Sequence, residues 1–122
     1  MLDADAVVRE YVAAWNEHDG ERRATLLARA CATDVRYADP ESDVTGLDAL
    51  AGVIASFQAT YPEHVLRLSS VVDDHHDVLR FAWLVERPDG TTLSSGLDAC
   101  RRAVDGRLAL IAGFFGELAR SA

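Results

Sequence analysis

Every segment with helical periodicity in this chain lies before Pro62, and everything after it alternates with the period of a strand. That order confines the fold to an α+β arrangement, in which a sheet must cover the apolar stripes of the helices that precede it. Ala4, Val7, Val8, Tyr11, Val12 and Trp15 form one amphipathic stripe, with Asp3 placed to cap its start and Gly20 following its end. A second helix is predicted from about Glu21 to Ala32, with Ala24, Leu27, Ala28 and Cys31 on one face. Val35–Ala38 reads as a short strand ended by Asp39-Pro40, and residues 41–46 as a loop. The third helix begins near Thr45-Gly46, where Thr45 and Asp48 have capping-box spacing. It carries Leu50, Ile54, Phe57 and Tyr61 on one face and stops at Pro62.

The remainder is strand and turn. Val65 to Val72 is followed by the polar turn Asp73-Asp74-His75-His76-Asp77. Val78 to Arg87 puts Leu79, Phe81, Trp83 and Val85 on one face. Pro88-Asp89-Gly90 turns into a strand from Thr91 to Val104, and Asp105-Gly106 is a hairpin dipeptide before the last strand, Arg107 to Phe115. Short turns between three successive strands imply an antiparallel meander. A strongly curved antiparallel sheet wrapped over the helices buries all three stripes and encloses a pocket, a common place for a ligand.

Composition narrows the function classes. With 122 residues the chain suits one domain, 1–122, large enough to bury a core. The net charge of −8, with twelve arginines dispersed and no lysine, argues against a nucleic-acid or anionic-membrane partner. No apolar run approaches the ~20 residues of a membrane span, and the acidic N-terminus lacks the form of a signal peptide, so a cytoplasmic location is expected. Cys31 and Cys100 are far apart, without metal-ligand spacing, and read as free buried thiols. Adjacent histidines in a strand point to opposite faces, so His75 and His76 suit a solvated turn better than a metal. No nucleophile elbow or phosphate-binding glycine loop is present, and no cofactor is expected.

Three polar residues stand where chemistry can begin. Tyr11 lies on the apolar stripe of the first helix, either as a core tyrosine or as a donor into the pocket. Asp39 closes the first strand, either as the start of an Asx turn or as a general base at the pocket rim. Asp98 sits inside a strand, on one face with Ser94, Gly96 and Cys100, where small neighbours leave room for a ligand. It is either paired with an arginine such as Arg80 or Arg102, or a carboxylic acid kept protonated by an apolar site. A base and two donors are the set needed to move a proton beside a carbonyl.

The order of elements, together with Tyr11-Val12-Ala13-Ala14-Trp15-Asn16, Asp34-Val35-Arg36-Tyr37-Ala38-Asp39-Pro40, Gly96-Leu97-Asp98, Asp105-Gly106-Arg107 and Gly113-Phe114-Phe115-Gly116, resembles the nuclear-transport-factor-2-like (NTF2-like) superfamily, and its SnoaL-like branch of polyketide cyclases in particular. The resemblance implies a cone of helices and curved sheet, and dimerisation through the outer sheet face. Within the superfamily the closest chemical match is ketosteroid isomerase, which implies Asp39 as general base with Tyr11 and Asp98 as donors to an enolate oxygen. It also implies a pocket walled by Trp15, Phe57, Phe81, Trp83, Val85, Cys100, Ile111, Gly113 and Phe115. The expected activity is cofactor-free isomerisation or cyclisation of a small hydrophobic carbonyl compound. The alternative is a non-catalytic homodimer that holds a hydrophobic ligand or a protein partner.

Overall fold

The computed structural model describes residues 2–122. Helix α1 (Ala4–Asn16) starts where predicted: the Asp3 carboxylate accepts the Ala6 N–H at 3.0 Å, and the stripe from Ala4 to Trp15 is buried. Helix α2 (Gly20–Ala30) is capped by Asp19, whose Oδ1 accepts from the Glu21 and Arg22 N–H groups. Its buried face differs from the expected one. Arg23, Leu27 and Ala30 point inward while Ala24 and Ala28 are exposed. Arg23 can be buried because its guanidinium donates to the Glu17 and His18 carbonyls and, at 2.6 Å, to Gln58 Oε1. The helix stops before Ala32 because Cys31 already pairs with Leu108.

Strand β1 (Cys31–Asp39) is longer than Val35–Ala38, and the predicted loop after it contains a strand, β2 (Ser42–Thr45), hairpinned to β1. Helix α3 (Leu47–Thr60) starts at Gly46, whose φ of 100° only glycine adopts readily. The Thr45–Asp48 box does not form, since no side chain caps this end. Leu50 and Ile54 are buried, Phe57 is half-buried and Tyr61 is exposed.

The later strands are β3 (Val65–Leu68), β4 (Asp73–His75), β5 (Val78–Glu86), β6 (Thr92–Arg102) and β7 (Leu108–Phe115). The expected 65–72 strand is cut at Leu68, and the expected polar turn holds β4, pinned to β5 by the Arg80–Asp73 ion pair at 2.9 Å. His76 has φ 54°, so the His75 and His76 rings meet edge-on, with Nδ1 atoms 3.0 Å apart, instead of facing opposite sides. Among the described residues no helix is long and apolar enough to cross a membrane.

The strand order is β2-β1-β7-β6-β5-β3, with β4 also on β5. The predicted meander β5-β6-β7 is antiparallel, but β7 returns to lie parallel to β1, so the curved sheet is mixed. A parallel pair is possible here because α3 and the whole meander intervene between its two strands. The register stacks residues across the concave face in rows. Phe81 lies opposite Asp98, which lies opposite Gly113, and β1 brings Asp39 beside Gly113. The next rows are Leu79–Cys100–Ile111–Tyr37 and Trp83–Gly96–Phe115.

Gly96 is fixed by this geometry. A Cβ there would collide with the Phe114 carbonyl oxygen and with the Trp83 ring, which packs against Gly96. Gly96→Ala is therefore expected to destabilise the fold by at least about 2 kcal/mol. Urea denaturation measures this, and an unchanged midpoint would contradict the packing described.

Candidate active site

Asp98 is 6% exposed in the middle of β6, on the concave face. The Trp83 indole N–H donates to its Oδ1 at 3.0 Å. Neither arginine considered from the sequence reaches it. Arg80 is held outside by Asp73, and the buried Arg102 donates to the Gly106 and Leu2 carbonyls. Burial pushes the Asp98 carboxyl up to about 7, the Asp39 charge adds to that, and the Trp83 N–H opposes it.

Asp39 comes within reach of Asp98 because Gly113 has no side chain. A Cβ on Gly113 would stand 3.1 Å from Asp98 Oδ1 and 3.3 Å from the Asp39 Cβ. The surroundings of Asp39 are unlike those of a free base at a rim. Its Oδ1 accepts from the Glu41 and Ser42 N–H groups at 2.8 Å, the Asx turn that Asp-Pro at a strand end favours. Its Oδ2 accepts from the Tyr37 hydroxyl at 2.5 Å. Three donors on two oxygens leave few lone pairs for a substrate proton. Burial, and then the bond to Asp39, keep the Tyr37 hydroxyl protonated.

Tyr11, 1% exposed, lies near the same carboxyl. Burial first and the Asp98 charge second raise its pKa, so its hydroxyl keeps its proton. That hydroxyl has no hydrogen-bond partner, and neither has the buried indole N–H of Trp15. The Trp15 N–H lies close enough to the Tyr11 oxygen to favour the phenolate, yet the pair lacks hydrogen-bond geometry. Tyr11 meets Trp15 and Phe81 edge-on, each at 6.4 Å between ring centres, and Trp15 meets Tyr37 at 6.0 Å.

The hollow expected between helices and sheet is occupied by these rings. Trp15, Phe81, Trp83, Val85, Cys100 and Ile111 are all buried in one core. Phe57 is half-buried, edge-on to Trp15 at 5.5 Å. Phe115 is 46% exposed and touches Trp83 from the rim, so it is not a wall of the interior. Two open surface grooves of about 360 and 330 Å³ lie elsewhere, one between α1 and β3 and one beside Leu2, Ala6 and Arg29. Neither is lined by Tyr11, Asp39 or Asp98, and the Arg9 and Arg67 of the first are paired with Asp5 and Glu86. Burial raises both thiols, Cys31 to about 12, so neither is a thiolate at neutral pH.

The sequence reading missed two contributors. Tyr37 was legible as a site residue, since alternation along β1 puts Val35, Tyr37 and Asp39 on one face. Trp15 is expected from the sequence only as a pocket wall, although its spacing of four from Tyr11 puts the two side chains on one face of α1.

Chemically, the arrangement offers a buried carboxyl that changes charge near neutral pH, a second carboxylate fixed in a turn, and two unpartnered donors. A SnoaL-like domain profile matches residues 8–111. A SnoaL-like family protein from Agrobacterium tumefaciens C58, described as a proposed isomerase, is 32% identical and superposes with a TM-score of 0.87 over 92% of this chain and 96% of its own. A ketosteroid isomerase-like fold from Catenulispora acidiphila, crystallised with trimethylamine, gives a TM-score of 0.74 at 14% identity, over 93% of this chain and 88% of its own. A SnoaL-like protein from Jannaschia sp. CCS1, described as a proposed polyketide cyclase, gives 0.68 at 12% identity, over 94% and 89%. A search of curated proteins finds no match. With a domain profile across most of its length and a relative at 32% identity over nearly all of it, this chain belongs to the SnoaL-like family of the NTF2-like superfamily.

Proposed function

We propose that the protein is a cofactor-independent acid–base enzyme acting on a small hydrophobic carbonyl compound, by double-bond isomerisation of the ketosteroid isomerase kind or by SnoaL-like cyclisation. The observation that carries this reading is Asp98, a buried carboxyl without a cation, pushed up to about 7 beside an unpartnered tyrosine hydroxyl. The roles differ from those the resemblance implies. Asp98 is the acid–base group, and Asp39, engaged by three donors, tunes it by like charge. In isomerisation, ionised Asp98 takes the α-proton, and the C–H electron pair moves into the carbonyl as an enolate. The proton then returns at the γ-carbon. The activities proposed for the A. tumefaciens and Jannaschia proteins, an isomerase and a polyketide cyclase, agree with this class.

A second reading is supported by the aromatic filling of the interior, which suits a non-catalytic module binding a hydrophobic ligand or protein partner. In either case we propose a homodimer through the outer sheet face. Ala82, Leu84, Leu97, Ala99, Leu110 and Ala112 there are half-exposed, and Phe114 is 59% exposed.

Turnover separates the two readings. The wild type is expected to isomerise a β,γ-unsaturated ketone, or to exchange the α-protons of β-tetralone in deuterium oxide. As a base, Asp98 must be ionised, so kcat/KM should rise about tenfold per pH unit below pH 7 and level off above it. A group acting as a protonated donor would instead lose activity above that pH. Asp98→Asn should lose roughly 10²–10⁴-fold, and Asp39→Asn should stay within about tenfold with its midpoint at lower pH. No exchange above buffer sinks the enzyme, and the reverse order of the two variants returns the base to Asp39. Sedimentation should show a dimer that Leu97→Asp breaks, and a wild-type monomer would overturn that part.

A further inference from the structure

We propose that the Trp15 indole N–H is, together with the Tyr11 hydroxyl, one of two donors that bind the oxygen of an uncharged carbonyl ligand. The chemistry that follows rests on the acid–base reading above, but the binding site has its own test.

Among the described residues, only two buried side-chain polar atoms lack a partner, and they are these two. Other buried polar groups are satisfied: Arg23 by two carbonyls and Gln58, Arg102 by two carbonyls, Trp83 by Asp98. A buried donor left unpaired weakens the fold, so native structures seldom keep one without a use. Phenylalanine would fill either position without that loss. The two side chains stand one turn apart on the same face of α1, rings edge-on at 80°.

The chemistry of the pair selects the ligand group. An indole N–H is a donor only, and Tyr11 keeps an O–H to donate; the two stand close without hydrogen-bond geometry between them, so an acceptor that reaches both satisfies the pair. A carbonyl oxygen has two lone pairs and meets two donors at once. A carboxylate would meet the Asp98 and Asp39 charges, and the buried arginines, Arg23 and Arg102, are engaged elsewhere by carbonyls and Gln58. A ketone or aldehyde therefore fits better than an acid. As its α-proton leaves, negative charge gathers on that oxygen, and both hydrogen bonds strengthen. Asp98 is then free of the donor role. Of the rings against Trp15, only Phe57 is not fully buried, and it packs on exposed Tyr61; since rings fill the interior, a ligand reaches the two donors by displacing Phe57.

The chain holds two tryptophans, so protein labelled with nitrogen-15 at its indoles shows two N–H resonances, and Trp83→Phe assigns them. Titration with β-tetralone should move the Trp15 resonance downfield. Tetralin, the same skeleton without oxygen, and naphthoate, its anionic relative, should not. Trp15→Phe should weaken β-tetralone binding roughly 3- to 10-fold and leave tetralin binding unchanged. A Trp15 resonance unmoved at the solubility limit of the ketone, or moved equally by tetralin, overturns the site. If the resonance shifts but no exchange is catalysed, the oxygen site stands and the acid–base reading falls. Should exchange proceed with that resonance unmoved, the catalyst stands and the Trp15 donor falls.

Discussion

A carboxyl buried without a cation is the constraint around which this structure is arranged. Asp98 keeps one hydrogen bond, from the Trp83 indole, whose ring occupies the space a side chain on Gly96 would take. Gly113 opens the space on the other side, where β1 delivers Asp39. Ionising Asp98 there opposes both burial and a like charge, so the proton is held to about 7 instead of leaving near 3.8. The fold carries the cost above neutral pH.

The parallel β1–β7 pair does the positioning. Without it Asp39 and Tyr37 would stand on a separate hairpin, away from the meander that carries Asp98. The Asx turn and the Tyr37 hydroxyl then immobilise Asp39, so that its charge acts on Asp98 from a fixed place. The helices close the other side: α1 brings Tyr11 near the carboxyl with Trp15 edge-on to it, and α3 sets Phe57 against Trp15.

Much of the fold was legible because its signals are local. The α1 stripe, the Asp3 cap and the alternation of Leu79, Phe81, Trp83 and Val85 are written in spacing alone. Arg23 was not legible, because what buries it is Gln58, thirty-five positions away. Nor was β2, a four-residue strand held by pairing with β1 and an Arg36–Asp43 bridge. For the site, alternation could place Asp98 on the inner face. What it could not show is that Arg102 turns to backbone carbonyls, that Asp39 is tied by three donors, or that the hollow is filled with rings. Those depend on contacts between distant segments, and they are why the proposed acid–base group is Asp98 and not Asp39.

The most direct measurement is unfolding free energy against pH for the wild type and Asp98→Asn. With the folded value raised above the unfolded one, wild type is unpenalised near pH 4, loses stability as pH rises, and bears the full penalty above pH 7. The neutral asparagine escapes this, so its stability relative to wild type should improve by about 4 kcal/mol between those limits. Curves that stay parallel from pH 4 to 8 would show Asp98 titrating as it does in water, and would contradict the account.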